Sequence, residues 1–216
     1  MVSERWVKKY MRMAKQFGED DNRCYSRQIG VVLVNPVANR VISTGLNGPP
    51  RDTPPCDDQE YLEKVVVPRL TFGECCHALE KLGVPDEEWG TSSLVKAAAG
   101  CGSCPRKLIG VKSGQRSELC SCQHAERNAI SNAGCDLTGA WAFCWCGVPC
   151  DQCTGALINA GIEKVYCIEQ PDYSYSSRFL FEKRGVELVI HKDEYYLEES
   201  PKKMALLAGF GIPSGA

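Results

Sequence analysis

Two short clusters in this chain hold residues able to do chemistry together: His124-Ala125-Glu126, and Pro149-Cys150-Asp151-Gln152-Cys153. His124 opens a segment of helical character, and Cys150 and Cys153 stand at i and i+3 on the first turn of another. Residues three apart share a helix face, so two thiolates can point at one spot. A helix N-terminus also favours thiolate over thiol. One imidazole and two thiolates suit zinc, and three protein ligands leave a fourth position for water, which is the pattern of a catalytic site. Zinc lowers the pKa of that water to roughly 7. Glu126, two residues after the histidine, is poorly placed to ligate the same metal. It can face the water instead and shuttle protons. A closed structural site would need a fourth ligand, for which Cys144 and Cys146 are the candidates; core or pocket-wall positions suit those two better.

The elements that must position these residues can be read from hydrophobic periodicity. Residues 3–17 carry the helical stripe Trp6, Val7, Tyr10, Met11, Ala14 and Phe17. Segments 28–34 and 40–46, separated by Asn35-Pro36 and Asn39, predict a hairpin. From Gln123 onward helices are expected at 124–133, 150–160 and 176–184. Strands are expected at 140–146, 163–168 and 186–190. Strand–helix alternation with short connections predicts an α/β sandwich with some parallel strands. The stretch 57–121 differs: short helical patterns, a Gly-Cys-Gly-Ser-Cys segment and three cysteine clusters suggest an insertion held by metal rather than by a large core. Residues 192–216 show few core signals and are expected to form a peripheral tail. The whole, 1–216, reads as a single domain.

Composition narrows the function. Among 216 residues, 25 Lys+Arg face 27 Asp+Glu, with no basic block of the kind that neutralises a phosphate backbone, so duplex nucleic acid is not an expected partner. The N-terminus lacks an apolar signal core, and no run approaches the length of a membrane span. A cytoplasmic protein is expected, and its 14 cysteines, beside only three histidines, should stay reduced and serve metals. Cys135 and Cys167 read as plain buried residues, and His191 as a surface residue without a partner.

HxE alone and CxxC alone are weak signals, but HxE at one helix start followed by PCxxC at the next is the signature of zinc deaminases that attack C4 of cytosine or C6 of adenine. Beyond the signature, the chain resembles the deoxycytidylate deaminase branch of the cytidine deaminase-like superfamily. The resemblance rests on residues 24–50, on HAERNAISN at 124–132, on PCDQCTGALINAGIEKVYC at 149–167 and on SRFLFEKRGVELV at 177–189. Val148 and Trp145-Cys146-Gly147 depart from its pattern beside the base pocket.

That resemblance implies a three-layer α/β/α sandwich with a mixed central sheet, and hydrolysis of dCMP, or a 5-substituted analogue, to dUMP and ammonia. It implies Glu126 as the catalytic residue and His124, Cys150 and Cys153 as zinc ligands. Asn47 would hold the sugar hydroxyl, Ser26 would lie on the phosphate side, Tyr173 would cover the nucleotide, and Ala125 would line the site. It also implies a second, structural zinc on Cys24, Cys56 and Cys122 with a fourth ligand from Cys120, Cys104, Cys101 or His77; with Cys120 in that place, Cys75, His77, Cys101 and Cys104 are available for a further one. A homo-oligomer, as large as a hexamer, and dCTP and dTTP as effectors complete the expectation. The rival readings are a deaminase of another base or nucleoside (cytidine, dCTP, or adenine in tRNA) and a non-catalytic zinc scaffold.

Overall fold

The structure, a computed structural model, describes residues 2–20, 23–112, 115–171 and 175–197. Helix α1 (Glu4–Asp20) is followed by a hairpin of β1 (Gly30–Asn35) and β2 (Arg40–Leu46). The hairpin turn is set locally: the Asn35 side chain accepts the backbone N–H groups of Val37 and Ala38 at 3.0 and 2.9 Å, and Asn39 takes a left-handed φ of 49°. Four short helices come next: α2 (Gln59–Tyr61), α3 (Phe72–Lys81), α4 (Thr91–Ala98) and α5 (Pro105–Leu108). The chain then alternates through α6 (Ala125–Ala133), β3 (Trp141–Cys144), α7 (Asp151–Asn159), β4 (Lys164–Ile168), α8 (Ser176–Arg184), β5 (Glu187–His191) and α9 (Asp193–Leu197).

The strands form one sheet in the order β2-β1-β3-β4-β5. β1 runs antiparallel to both β2 and β3, whereas β3, β4 and β5 are mutually parallel neighbours. The sheet is therefore mixed, as expected. Period-2 alternation sorts its side chains into two cores. Val31, Leu33, Ala142, Cys144, Val165 and Cys167 face α6, α7 and α8, where they meet Ala129, Leu157 and Phe181. Val32, Val34, Phe143, Tyr166 and Ile168 face α1 and α9, where they meet Tyr10, Met11 and Tyr196. Helices on both faces make three layers. Helix α6 lies directly on β2: a Cβ at Gly45 would stand 2.1 Å from the Ala125 carbonyl oxygen, so only glycine fits there.

Four expectations need correction. The 57–121 stretch has an apolar core of its own, with Leu62, Val66, Leu79, Leu94, Leu108 and Leu119 all buried. Its apolar residues are spread over several short helices, so no single segment shows a full periodic stripe. Tyr196, in the segment expected to be peripheral, is fully buried and donates its hydroxyl to the Cys167 carbonyl at 3.0 Å. Cys135 is exposed, because it follows the left-handed Gly134 that ends α6 and sits in the turn beyond it. His191 does have a partner: its ring stacks on Tyr195 at 4.1 Å between centroids. No helix among the described residues is long and apolar enough to cross a membrane.

Candidate active site

The carboxyl end of β3 and the start of α6 bring the two sequence clusters together. His124 is the N-cap residue of α6 and Cys150 that of α7, and neither side chain caps its own helix. Both are turned toward each other instead. The Nδ1 atom of His124 lies 3.4 Å from the Cys150 Sγ and 3.4 Å from the Cys153 Sγ. All three ligand atoms fall within 4.8 Å of one another, the only such group of three or more among the described residues. In a tetrahedral zinc site, bonds of about 2.3 Å to sulfur and about 2.0–2.1 Å to nitrogen set N and S about 3.5 Å apart. The donor set and its spacing therefore fit zinc.

The protons of the trio are unevenly shared. Contact with the Cys153 thiol, helped by the His124 ring against the cost of burial, brings Cys150 down to about 4. Contact with Cys150 and burial push Cys153 up, and the same Cys150 contact raises His124. Glu126 is only 3% exposed, and burial holds its carboxyl above the usual range. The Cys153 thiol and the His124 ring both act on its charge at close range, so it lies beside the metal trio. A buried carboxyl that tends to keep its proton, beside a metal-ligand trio, is the arrangement a proton shuttle requires.

Below this site Cys144, Cys146 and Cys167 form a buried thiol group on the sheet. Contact with Cys144 and burial hold the Cys146 thiol far above its ordinary value, which suits a neutral wall residue and not a fourth ligand.

Asn47 is buried, and its Oδ1 accepts the Ala125 backbone N–H at 2.8 Å. That N–H is consequently occupied. The backbone N–H groups of Ser26 and Arg27 are directed at the Cys24 sulfur. Tyr173 lies outside the described residues. Sequence reasoning passed over several polar links that hold the site's walls. The Asn128 side chain donates to the Leu46 carbonyl at 2.7 Å, and Gly147 N–H donates to the Gln170 side chain at 3.1 Å. Ser177, fully buried, donates to Asp151 on the first turn of α7 at 3.0 Å. An Asn four residues past the histidine, on the face toward β2, was the one signal available for such a link.

The other expected metal residues divide. Cys122 contacts Cys24, Cys56 and Cys120, and Cys56 also contacts Cys104. Cys24, Cys56, Cys120 and Cys122 are thus neighbours, and Cys104, an alternative for the fourth position, lies beside Cys56. Their sulfurs form a branched chain rather than a cage with every pair within 4.8 Å. Contact with Cys104 and Cys122 brings Cys56 down to about 4, and contact with Cys122 brings Cys24 and Cys120 to about 6. The further set is not gathered. Cys75 has Cys76 and Glu74 beside it, the His77 ring packs against Gly110, and Cys101 is exposed.

Known proteins place this arrangement. Over 184 residues the chain is 27% identical to a deoxycytidylate deaminase of Schizosaccharomyces pombe, covering 85% of this chain and 43% of that protein. It is 27% identical over 161 residues to a deoxycytidylate deaminase of Saccharomyces cerevisiae, covering 74% of this chain and 36% of that one. The chain thus spans about two-fifths of the length of these yeast relatives. In fold it is similar to the dCMP deaminase of cyanophage S-TIM5 in complex with dCMP and dUMP, with a TM-score of 0.51 and 18% identity over 88% of this chain and 99% of that one. The family model described as the cytidine and deoxycytidylate deaminase zinc-binding region matches residues 4–169, a span that contains His124, Glu126, Cys150 and Cys153, and the chain belongs to that family.

Proposed function

We propose that this chain hydrolyses dCMP to dUMP and ammonia, with Glu126 as the catalytic residue and zinc held by His124, Cys150 and Cys153. The observation that carries the reading is the buried Glu126 carboxyl lying against the one compact His/Cys trio among the described residues. The family membership and the deoxycytidylate deaminases among the relatives support it.

Zinc, when bound, supplies the Lewis acidity that makes water a nucleophile at neutral pH. The remaining work falls to the chain's own residues. Glu126 accepts one proton from the attacking water and delivers it to the ring nitrogen N3. It then carries the water's second proton to the departing C4 amine, which leaves as ammonia. Burial suits it to both tasks, because it raises the carboxyl above its usual range toward the pH at which it must give and take protons. The buried Cys144, Cys146 and Val148 back the site with a non-polar floor that limits stray water. A second ion is proposed on the thiols around Cys122, with the 57–121 stretch read as an insertion within one deaminase domain. The family resemblance extends the proposal to a homo-oligomer regulated by dCTP and dTTP.

Protein purified under reducing conditions without chelator tests this reading. Zinc per chain would be counted, and ammonia release assayed with dCMP, CMP, dCTP, cytidine and adenosine, with and without dCTP as effector. Turnover of dCMP ahead of the others supports the proposal. Bound zinc without ammonia from any of them would replace it with the scaffold reading.

A further inference from the structure

We infer that Asn47 is a positioning residue for the metal-binding end of α6, supplying from another part of the chain the helix cap that His124 cannot supply. The inference rests on the reading of His124 as a zinc ligand.

A helix begins with N–H groups that have no partner inside it, and the N-cap side chain usually accepts one of them. In α6 the N-cap is His124, whose side chain makes no cap and whose Nδ1 faces two sulfurs. The start of α6 is nonetheless buried, with Ala125 at 0% exposure and Glu126 at 3%. Water is not at hand to take the Ala125 N–H. Asn47 Oδ1 takes it, at 2.8 Å.

Asn47 is itself well fixed. Its backbone N–H donates to the Ile29 carbonyl, and Gly48 exchanges two backbone hydrogen bonds with Gln123 at 3.2 and 2.7 Å. The 47–48 segment therefore grips the chain on both sides of His124, at Gln123 and at Ala125. The backbone of His124 is held while its ring stays free to face the sulfurs. This is the usual division between a metal ligand and the outer groups that orient it.

The same bond sets the polarity of Asn47. Because Ala125 N–H is a donor, the amide oxygen must face it, and Nδ2 is the donor left to offer. A nucleotide atom that meets Nδ2 must then be an acceptor. An alanine at 47 removes both functions. An aspartate keeps an oxygen of the same reach for the cap and removes the donor.

The test compares zinc-loaded wild type with Asn47→Ala and Asn47→Asp. Zinc affinity is read by competition with a chromogenic chelator, amide exchange at Ala125 by NMR, and kcat and KM with dCMP. N47A should bind zinc about 10–100-fold more weakly, the range seen for lost outer groups, and its Ala125 amide should exchange faster. N47D should hold zinc and protect that amide like the wild type, yet show a raised KM. Wild-type zinc affinity together with unchanged Ala125 exchange in N47A would overturn the inference. If N47A fails to fold, faster Ala125 exchange in N47D than in the wild type would overturn it instead. Both readouts are independent of turnover, so an inactive wild type would refute the deaminase reading and leave this one to be judged by itself.

Discussion

The Tyr196 hydroxyl donates to the Cys167 backbone carbonyl at 3.0 Å, with both residues fully buried. This bond fastens α9 to β4, beneath the sheet that carries the site. Tyr196→Phe should cost about 1 kcal/mol, the net worth of a typical hydrogen bond. Tyr196→Ala should cost about 3–5 kcal/mol through the cavity it leaves. Urea denaturation of the variants would check both; equal stability of all three proteins would show that α9 is not part of the core.

Glu126→Gln should reduce ammonia release from dCMP by roughly 10²–10⁴-fold, the share general acid–base catalysis commonly supplies. Zinc content should not change, because Glu126 is not a proposed ligand.

The same variant has a pH signature without metal. Burial raises the Glu126 carboxyl in the folded protein, so its contribution to stability is full below about pH 4 and falls as pH rises through the folded-state value. Metal-free E126Q should therefore be the more stable protein at pH 7–8 and converge with the metal-free wild type near pH 4. Denaturant midpoints that run parallel across this range would argue against a protonated Glu126.

Glu74 titrates with the opposite sign. Burial works against its charge, but the Thr71 backbone N–H and the Arg116 guanidinium outweigh that and hold its carboxyl below the usual range. Its contribution is present above the unfolded value and lost as pH falls through the folded one. Glu74 also closes a capping box with Thr71 at the start of α3. E74Q keeps an oxygen for the capping box but loses the charge facing Arg116, and should be less stable by about 0.2–1 kcal/mol at pH 7. The difference should begin to shrink as pH falls below about 4 and vanish once pH lies below the folded-state value.

The thiol chain and the apolar core of the 57–121 stretch separate by substitution. Cys122→Ser, at the branch point of the thiols, should lower the zinc count, whereas Cys75→Ser should leave it unchanged. Leu119→Ala, at a fully buried position, should cost about 2–5 kcal/mol. Zinc analysis and thermal melts in chelator would show whether metal or packing dominates. Unchanged zinc in C122S would remove the second ion from the proposal.

The sequence by itself determined the local parts. Residues 176–184 were expected as a helix and form α8 as Ser176–Arg184, and 40–46 were expected as a strand and form β2 as Arg40–Leu46. Their boundaries follow from periodicity and turn residues, which need no distant partner. The HxE and PCxxC clusters were legible for the same reason, since each holds its members within one helical turn. The tertiary structure decided what depends on distance along the chain. The bond from Ala125 to Asn47 spans 78 positions, and no periodicity links them. Cys104 joins Cys56 because the Asp57 backbone carbonyl and side chain accept the N–H groups of Gly100 and Gly102, drawing the 100–104 loop toward Cys56. The core of 57–121 was hidden because its apolar residues are shared among several short helices, each with too few for a stripe. Tyr196 was hidden because Tyr195-Tyr196-Leu197, a three-residue run in a polar segment, is too short to carry a pattern until the sheet beneath it exists.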